Sequence, residues 1–205
     1  MMICAPIKRK TTGSLISSIK EAQKHVEVIE VWFDELKSLK EEDLKSIFAI
    51  KSHPFIYKCQ NPENIDAILK FNPEFIDLDI ETPPKHIKKI GPKTSLIISH
   101  HNFKETPSLG SLRALAKKIK AKGADIIKIA TQANEFEDSV RMLSLLSELH
   151  EKGEKAICIC MGEKGQITRT AGLTLGNYLM YAPIKDSDAS APGQLTVKQL
   201  QWHLK

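Results

Sequence analysis

Aromatic side chains make up only 6% of this 205-residue sequence. Positive charge is in modest excess, with a formal net charge of +5, but it is not concentrated: the densest basic run is the short Lys8-Arg9-Lys10. With few rings for base stacking and no basic stripe, nucleic-acid binding is disfavoured, and the excess charge fits a small anionic substrate. Cysteine is scarce as well. Cys4, Cys59, Cys158 and Cys160 lie in apolar runs, and none forms a CxxC or other zinc-ligand spacing. They read as buried free thiols in a reducing compartment. No GxGxxG or GxxxxGK[ST] loop follows any apolar run, which removes the usual mark of a nucleotide site. No apolar run is long enough to span a bilayer, and the N-terminus MMICAPIKRK has no long apolar core behind a basic start. Neither a membrane nor a signal peptide is expected, and the expected localisation is cytoplasmic.

What the sequence does have is alternation. Apolar runs rich in β-branched residues occur at 2–6, 26–33, 55–59, 75–80, 95–99, 125–130, 156–161 and 178–181. Several, such as IIKIA and AICICM, are apolar almost throughout, as strands buried on both faces should be. Between them lie helical patterns over 14–24, 36–50, 108–122 and 134–152, the last two stopped by Gly123 and Gly153. Asn61-Pro62 with Glu63 reads as another helix start, and a final helix runs from Thr196 to the end. Eight strands alternating with helices require parallel pairing. Two architectures fit, a closed barrel or an open doubly wound sheet. The missing nucleotide loop and eight repeats with no linker or leftover segment favour the first, so the expected fold class is α/β, a single compact (β/α)8 TIM barrel over residues 1–205.

In such a barrel the chemistry sits at the C-terminal ends of strands. The polar residues there are Glu30, Asp34, Lys58, Asp79, Glu81, His100, His101, Lys128, Arg169 and the segment 190–194. Lys128 stands inside ADIIKIA, where burial would lower its pKa and free an amine to attack a carbonyl. A lysine merely paired with an acid such as Glu30 is the equal alternative. His101, ending SLIISHH, is suited to moving a proton, although an isolated histidine is more often an ordinary loop residue. His100 and His101 point to opposite faces of a strand and should not share a metal ion. Arg169 offers a fork for a carboxylate, or is a surface arginine on a solvated helix. Ser190 to Gln194 reads as a lid or as a plain Pro-Gly turn.

Five segments, in order, resemble the type I 3-dehydroquinate dehydratases: EVWFD at 30–34, SHHNF followed by TP at 99–107, GADIIKIA at 123–130, MGEKGQITR at 161–169 and SAPGQL at 190–195. The resemblance spans essentially the whole chain. It implies a hydro-lyase of the shikimate pathway that converts 3-dehydroquinate to 3-dehydroshikimate, needs no cofactor and no metal, and has the substrate as its small-molecule partner. By resemblance Lys128 forms the imine with the ketone and His101 is the general acid/base. Arg169 grips the carboxylate, Ser190 and Gln194 belong to the lid, and Glu30 and Lys58 bind the periphery of the substrate. A homodimer is the assembly to test. The chain departs from the family pattern at Trp32 and Lys58, where arginines are usual. Cys59-Gln60-Asn61-Pro62 replaces a Glu-Gly-Gly motif, and Asn102 replaces an aspartate. Glu63 is a candidate stand-in for the lost glutamate. The competing readings are another Schiff-base barrel lyase acting on a sugar phosphate, and a non-catalytic relative.

Overall fold

The computed structural model describes residues 2–203. The strands are β1 (Ile3–Ile7), β2 (Val28–Val31), β3 (Phe55–Lys58), β4 (Phe75–Asp79), β5 (Ser95–Asn102), β6 (Ile126–Gln132), β7 (Ala156–Met161) and β8 (Met180–Tyr181). The helices are α1 (Thr12–Ala22), α2 (Glu41–Ala49), α3 (Ile65–Leu69), α4 (Pro84–Ile87), α5 (Leu109–Ala121), α6 (Phe136–Glu151), α7 (Ile167–Thr174) and α8 (Val197–Trp202). All pairings are parallel and run in the order β7-β6-β5-β4-β3-β2-β1-β8, so the sheet curls into a nearly closed barrel. At the seam between β7 and β8 there is one backbone bond, Tyr178 N–H to Ala156 C=O at 2.8 Å. The Asn177 amide supplies the rest, accepting from Cys158 N–H at 2.7 Å and donating to Cys158 C=O at 3.2 Å. One side chain thus acts as the missing strand partner, satisfying buried backbone groups that would otherwise be costly to leave unpaired.

All eight predicted strands exist, with shifted ends. β5 and β6 run beyond the predicted Ser99 and Ala130 through polar residues, because the ladder continues through His101–Ala130 and Asn102–Thr131. Polarity marks the rim of a cavity there, not the end of the strand. The helix predicted at 36–50 begins only at Glu41: Phe33–Glu35 forms a 3₁₀ turn and Leu36 is extended. Glu41, Glu42 and Asp43 in the first turn then favour the helix N-terminus. α1 starts two residues before the predicted Ser14, because the Thr11 side chain caps it. Asn61 caps a 3₁₀ turn, Pro62–Asn64, before α3. The last helix, expected from Thr196 to the chain end, is α8: Thr196 is its cap, it stops at Trp202 and His203 forms the turn after it, while residues 204–205 lie outside those described.

The core has two parts. The larger lies between strands and helices and includes Leu15, Ile29, Ile76, Ile98, Ile127 and Leu146. The smaller fills the barrel interior with Cys4, Val28, Ile56, Phe75, Ile97, Ile126, Ile157 and Leu179, one for each strand or its first flank. Burying an aliphatic side chain of this kind contributes about 1.5–3 kcal/mol. This apolar floor fixes the direction of everything above it.

Candidate active site

Side chains two residues apart on a strand share a face. Counting two residues on from each floor residue gives Pro6, Glu30, Lys58, Asp77, Ser99, Lys128, Ile159 and Tyr181. Two more give Trp32, Asp79, His101, Ala130 and Met161. Most of these line a cavity of about 400 Å³, together with Cys59, Gln60, Phe103, Ser190, Ala191 and Gln194. The pleat alone brings Glu30, Lys58, Asp79, His101 and Lys128, all predicted from strand ends, onto one lining, whereas Asp34 and Glu81 are not part of it. His100, one residue out of phase, is not among the lining.

Lys128 is only 5% exposed and makes three polar contacts. Its Nζ donates to Asp77 Oδ2 at 2.6 Å and to the Tyr181 hydroxyl at 3.0 Å, and lies 3.5 Å from Glu30 Oε2. The ammonium also sits 4.1 Å from the centroid of the Tyr181 ring. The expectation that burial lowers the Lys128 pKa is overturned. Burial does pull it down, but Asp77 and then Glu30 outweigh that pull and hold it above the ordinary lysine value. At neutral pH the resting group is an ammonium. Glu30 is in turn held by the Trp32 indole N–H at 2.8 Å, so Trp32 fixes the carboxylate without adding charge.

Asp77 was not among the predicted residues, yet it organises the layer. It is fully buried; its Oδ1 accepts from Lys58 Nζ at 3.0 Å and Ser99 Oγ at 2.6 Å, while Oδ2 takes Lys128. Burial would raise its pKa, but Lys128, Lys58 and His101 drive it well below the usual carboxylate range. Lys58 lines the cavity but is already committed to Asp77 and Ser99. His101 is drawn down to about 3, first by burial and then by the charges of Lys128 and Lys58. It is neutral at physiological pH, the form in which an imidazole can accept a proton. Its ring lies nearly parallel to Phe103, 13° between planes and 6.2 Å between centroids. Asn102, which replaces the family's aspartate, accepts the Lys104 and Glu105 N–H groups and shapes the turn.

The segment where Glu-Gly-Gly is missing is anchored by Asp34. Its carboxylate accepts from Gln60 N–H at 2.6 Å, Asn61 N–H at 2.9 Å, Asn64 Nδ2 at 2.7 Å and the Tyr57 hydroxyl at 3.0 Å. That fixes Cys59 and Gln60 against the cavity. Glu63 does not replace the lost glutamate: its side chain is 73% exposed and lies 3.7 Å from His86 Nε2, away from the cavity lining.

Arg169 lies on α7 and is 1% exposed, so it is no surface arginine. Burial lowers its pKa to about 10, which leaves it a cation at neutral pH. Its Nε and Nη1 have no partner among the described residues, and Nη2 reaches only the Pro192 carbonyl at 3.5 Å. It is not part of the cavity lining; it sits behind the segment 190–194. Gln194 Oε1 gathers that segment, accepting from Ser190 N–H at 2.7 Å and Ala191 N–H at 3.3 Å. The loop docks backbone to backbone: Gly162 N–H donates to Pro192 C=O at 3.1 Å, and a Cβ on Gly193 would stand 2.4 Å from the Gly162 oxygen. Gly193 also has φ +73°. Gly193→Ala is therefore expected to raise KM by roughly tenfold, about 1.4 kcal/mol of lid docking. A KM within twofold of wild type in steady-state assays would show that the loop does not close on substrate.

Among the described residues no group of three or more His, Cys, Asp or Glu side chains is arranged to hold a metal ion, and no helix is long and apolar enough to cross a membrane. Residues 3–205 match the family described as Type I 3-dehydroquinase. A 3-dehydroquinate dehydratase from Methanocaldococcus jannaschii is 36% identical, with 99% of this chain and 98% of the relative covered. One from Methanococcus maripaludis is 34% identical over 98% and 97%. The crystal structure of 3-dehydroquinate dehydratase from Geobacillus kaustophilus superposes with a TM-score of 0.88 at 22% identity, covering 99% of this chain and 89% of that one. A barrel whose pleat gathers a buried lysine and a neutral histidine, with a buried arginine on α7 behind the 190–194 loop and full-length likeness to these relatives, leaves one assignment: the chain belongs to the type I 3-dehydroquinase family, hydro-lyases that dehydrate 3-dehydroquinate.

Proposed function

We propose that the chain converts 3-dehydroquinate to 3-dehydroshikimate and water through an imine on Lys128, with the barrel over 1–205 as the catalytic domain. The observation that carries this is Lys128 itself: a buried amine at the base of a cavity, between two carboxylates and a phenol. The Lys128 ammonium first passes a proton to neutral His101. The freed amine adds to the substrate ketone, and the carbinolamine hydroxyl leaves as water with that proton, giving a protonated imine and neutral His101 again. That imine is an electron sink which acidifies the adjacent carbon. Neutral His101 takes the proton from that carbon, the electron pair forms the new double bond, and the β-hydroxyl departs with the proton that His101 returns. Hydrolysis of the imine then frees product and amine. The sink is covalent, so the reading needs no cofactor or metal.

Arg169 answers the substrate carboxylate: a buried cation with two free N–H groups is costly alone and stabilised by an anion. Ser190 and Gln194 close the cavity above. Glu30, steadied by Trp32, and Lys58, steadied by Asp77, face the substrate's remaining hydroxyls. Lys58 presents a single point of charge where a guanidinium would present a fork, so it holds its target less rigidly. The four cysteines are free and buried, in keeping with a reducing, cytoplasmic setting. The shikimate pathway follows from the substrate. The partner in this reading is that substrate, with no nucleic acid and no membrane, and a homodimer is the assembly; light scattering on the purified chain tests the last.

Borohydride reduction in the presence of 3-dehydroquinate, followed by peptide mass spectrometry, tests the reading. A stable adduct on Lys128 is expected, lighter than the simple substrate adduct where water has already left. A folded protein without any adduct would return the chain to the non-catalytic alternative.

A further inference from the structure

We propose that Tyr181 is a catalytic residue of this reaction, its phenol relaying a proton from nitrogen to oxygen as the carbinolamine forms on Lys128. The inference rests on the imine reading above. Tyr181 ends β8, faces the barrel interior and lines the same cavity as Lys128. Its hydroxyl is 3.0 Å from Lys128 Nζ, so it touches the atom that reacts.

Once the Lys128 ammonium has given one proton to neutral His101, addition of the free amine to the ketone first gives a zwitterion, with an ammonium nitrogen and an alkoxide oxygen on the same carbon. The proton must move from one to the other before water can leave. Direct transfer closes a strained four-membered ring. A hydroxyl placed between them makes it six-membered: the N–H bond breaks as a new O–H forms on Tyr181, while the original phenol proton passes to the alkoxide. Nitrogen and oxygen end neutral and Tyr181 is unchanged, so the step balances with no outside acid or base. In imine hydrolysis the same path runs backwards.

The neighbours of Nζ cannot do this. Asp77, at 2.6 Å, is a carboxylate with no proton to give, and Lys58 and Ser99 hold it in that state. Glu30, at 3.5 Å, is likewise acceptor-only when ionised. A hydroxyl both accepts and donates. Burial, and then the Glu30 carboxylate, push the Tyr181 pKa well above its ordinary value, which rules out a free phenolate and requires both protons to move together.

The test is rapid-quench borohydride trapping on the full chain. Tyr181→Phe keeps the ring over Lys128 and removes only the hydroxyl, and imine formation is expected to slow by about 10²-fold, the lower end of general acid–base effects. Adduct formation on Lys128 at the wild-type rate would overturn the relay and leave the imine reading standing. Absence of adduct in the wild-type chain would overturn the imine reading instead. A second measurement covers the case in which the variant does not fold. In wild type, a two-proton step gives a curved dependence of the trapping rate on deuterium fraction. A linear dependence would reduce the hydroxyl to an anchor for Lys128 and end the proposal.

Discussion

Replacing Lys128 with methionine is expected to lower kcat by roughly 10⁴-fold or more, about 5 kcal/mol of transition-state stabilisation, and to abolish the borohydride-stable adduct. Methionine keeps most of the volume in the layer and removes the nitrogen. Without the imine the substrate has only its ketone as electron sink, and the proton beside it is far less acidic. The charge balance of the layer predicts a second consequence. Lys58, Lys128, Asp77 and Glu30 together carry two positive and two negative charges. The substitution leaves one negative charge in excess, and the Asp77 pKa should move up from its depressed position because its largest stabilising cation is gone. Lys58 and Ser99 still hold the carboxylate, so the fold should survive at reduced stability. Circular dichroism and melting, read beside kcat, separate the two effects. Turnover within about a hundredfold of wild type in a folded variant would remove Lys128 from the chemistry.

The sequence made the barrel readable because its strands are buried on both faces and so stand out as apolar runs. Strand ends were less readable, since polar residues such as His101, Asn102 and Gln132 are part of the ladder yet read as loop. The candidate site was legible wherever a polar residue closes an apolar run, as Lys58 and His101 do. Asp77 and Tyr181 are harder to read: both sit within short runs that read as strand, with no polar run end or family segment to mark them. The available signal was phase. In FIDLD, Asp77 is two residues from Phe75 and from Asp79, hence on the same face as a floor residue and a rim residue. A carboxylate in that position has no solvent to enter and needs a cation. In LMY, Tyr181 is likewise in phase with Leu179. Which cation meets Asp77 is a property of the closed barrel, because β4 and β6 are not neighbours in the sheet. The direction of the Lys128 pKa depends on that meeting, so reasoning from burial alone gave the wrong sign.

The departures from the family pattern can be weighed in the same terms. Trp32 donates one neutral hydrogen bond to Glu30, where an arginine would add a cation to the layer. Lys58 keeps, on the neighbouring strand β3, the positive charge that the usual arginine would carry, and Asp77 fixes it. The loop after β3 has lost two glycines and a glutamate, but Asp34 satisfies its backbone N–H groups and the Asn64 amide. Each change alters how the cavity rim is held while leaving Lys128 and His101 on its lining, with Arg169 behind the 190–194 loop.

Asp77 is the residue whose loss should cost the fold most. Asp77→Asn is isosteric, but it leaves two buried ammonium groups without their shared carboxylate, and Glu30 at 3.5 Å is the only other acid on Lys128 among the described residues. Breaking a buried pair in this way costs about 3–5 kcal/mol. With a urea slope of about 2 kcal/mol/M, the unfolding midpoint should fall by about 2 M. The pH dependence carries a sign that a mere packing defect would not. In wild type the folded Lys128 pKa is raised above its unfolded value. Its stabilising contribution is therefore fully present below about pH 10.4, and is lost only as pH climbs through the raised value. Without Asp77, burial pulls the folded pKa below the unfolded one. The unfolded chain then binds more protons, so stability rises as pH is raised towards about 10.4. Urea titrations at pH 7 and pH 9 should thus give nearly equal Lys128 contributions in wild type and a gain at pH 9 in the variant. Equal stability of the variant at both pH values would mean that Asp77 does not hold the lysine charged. The charge on the amine would then depend on Glu30 alone.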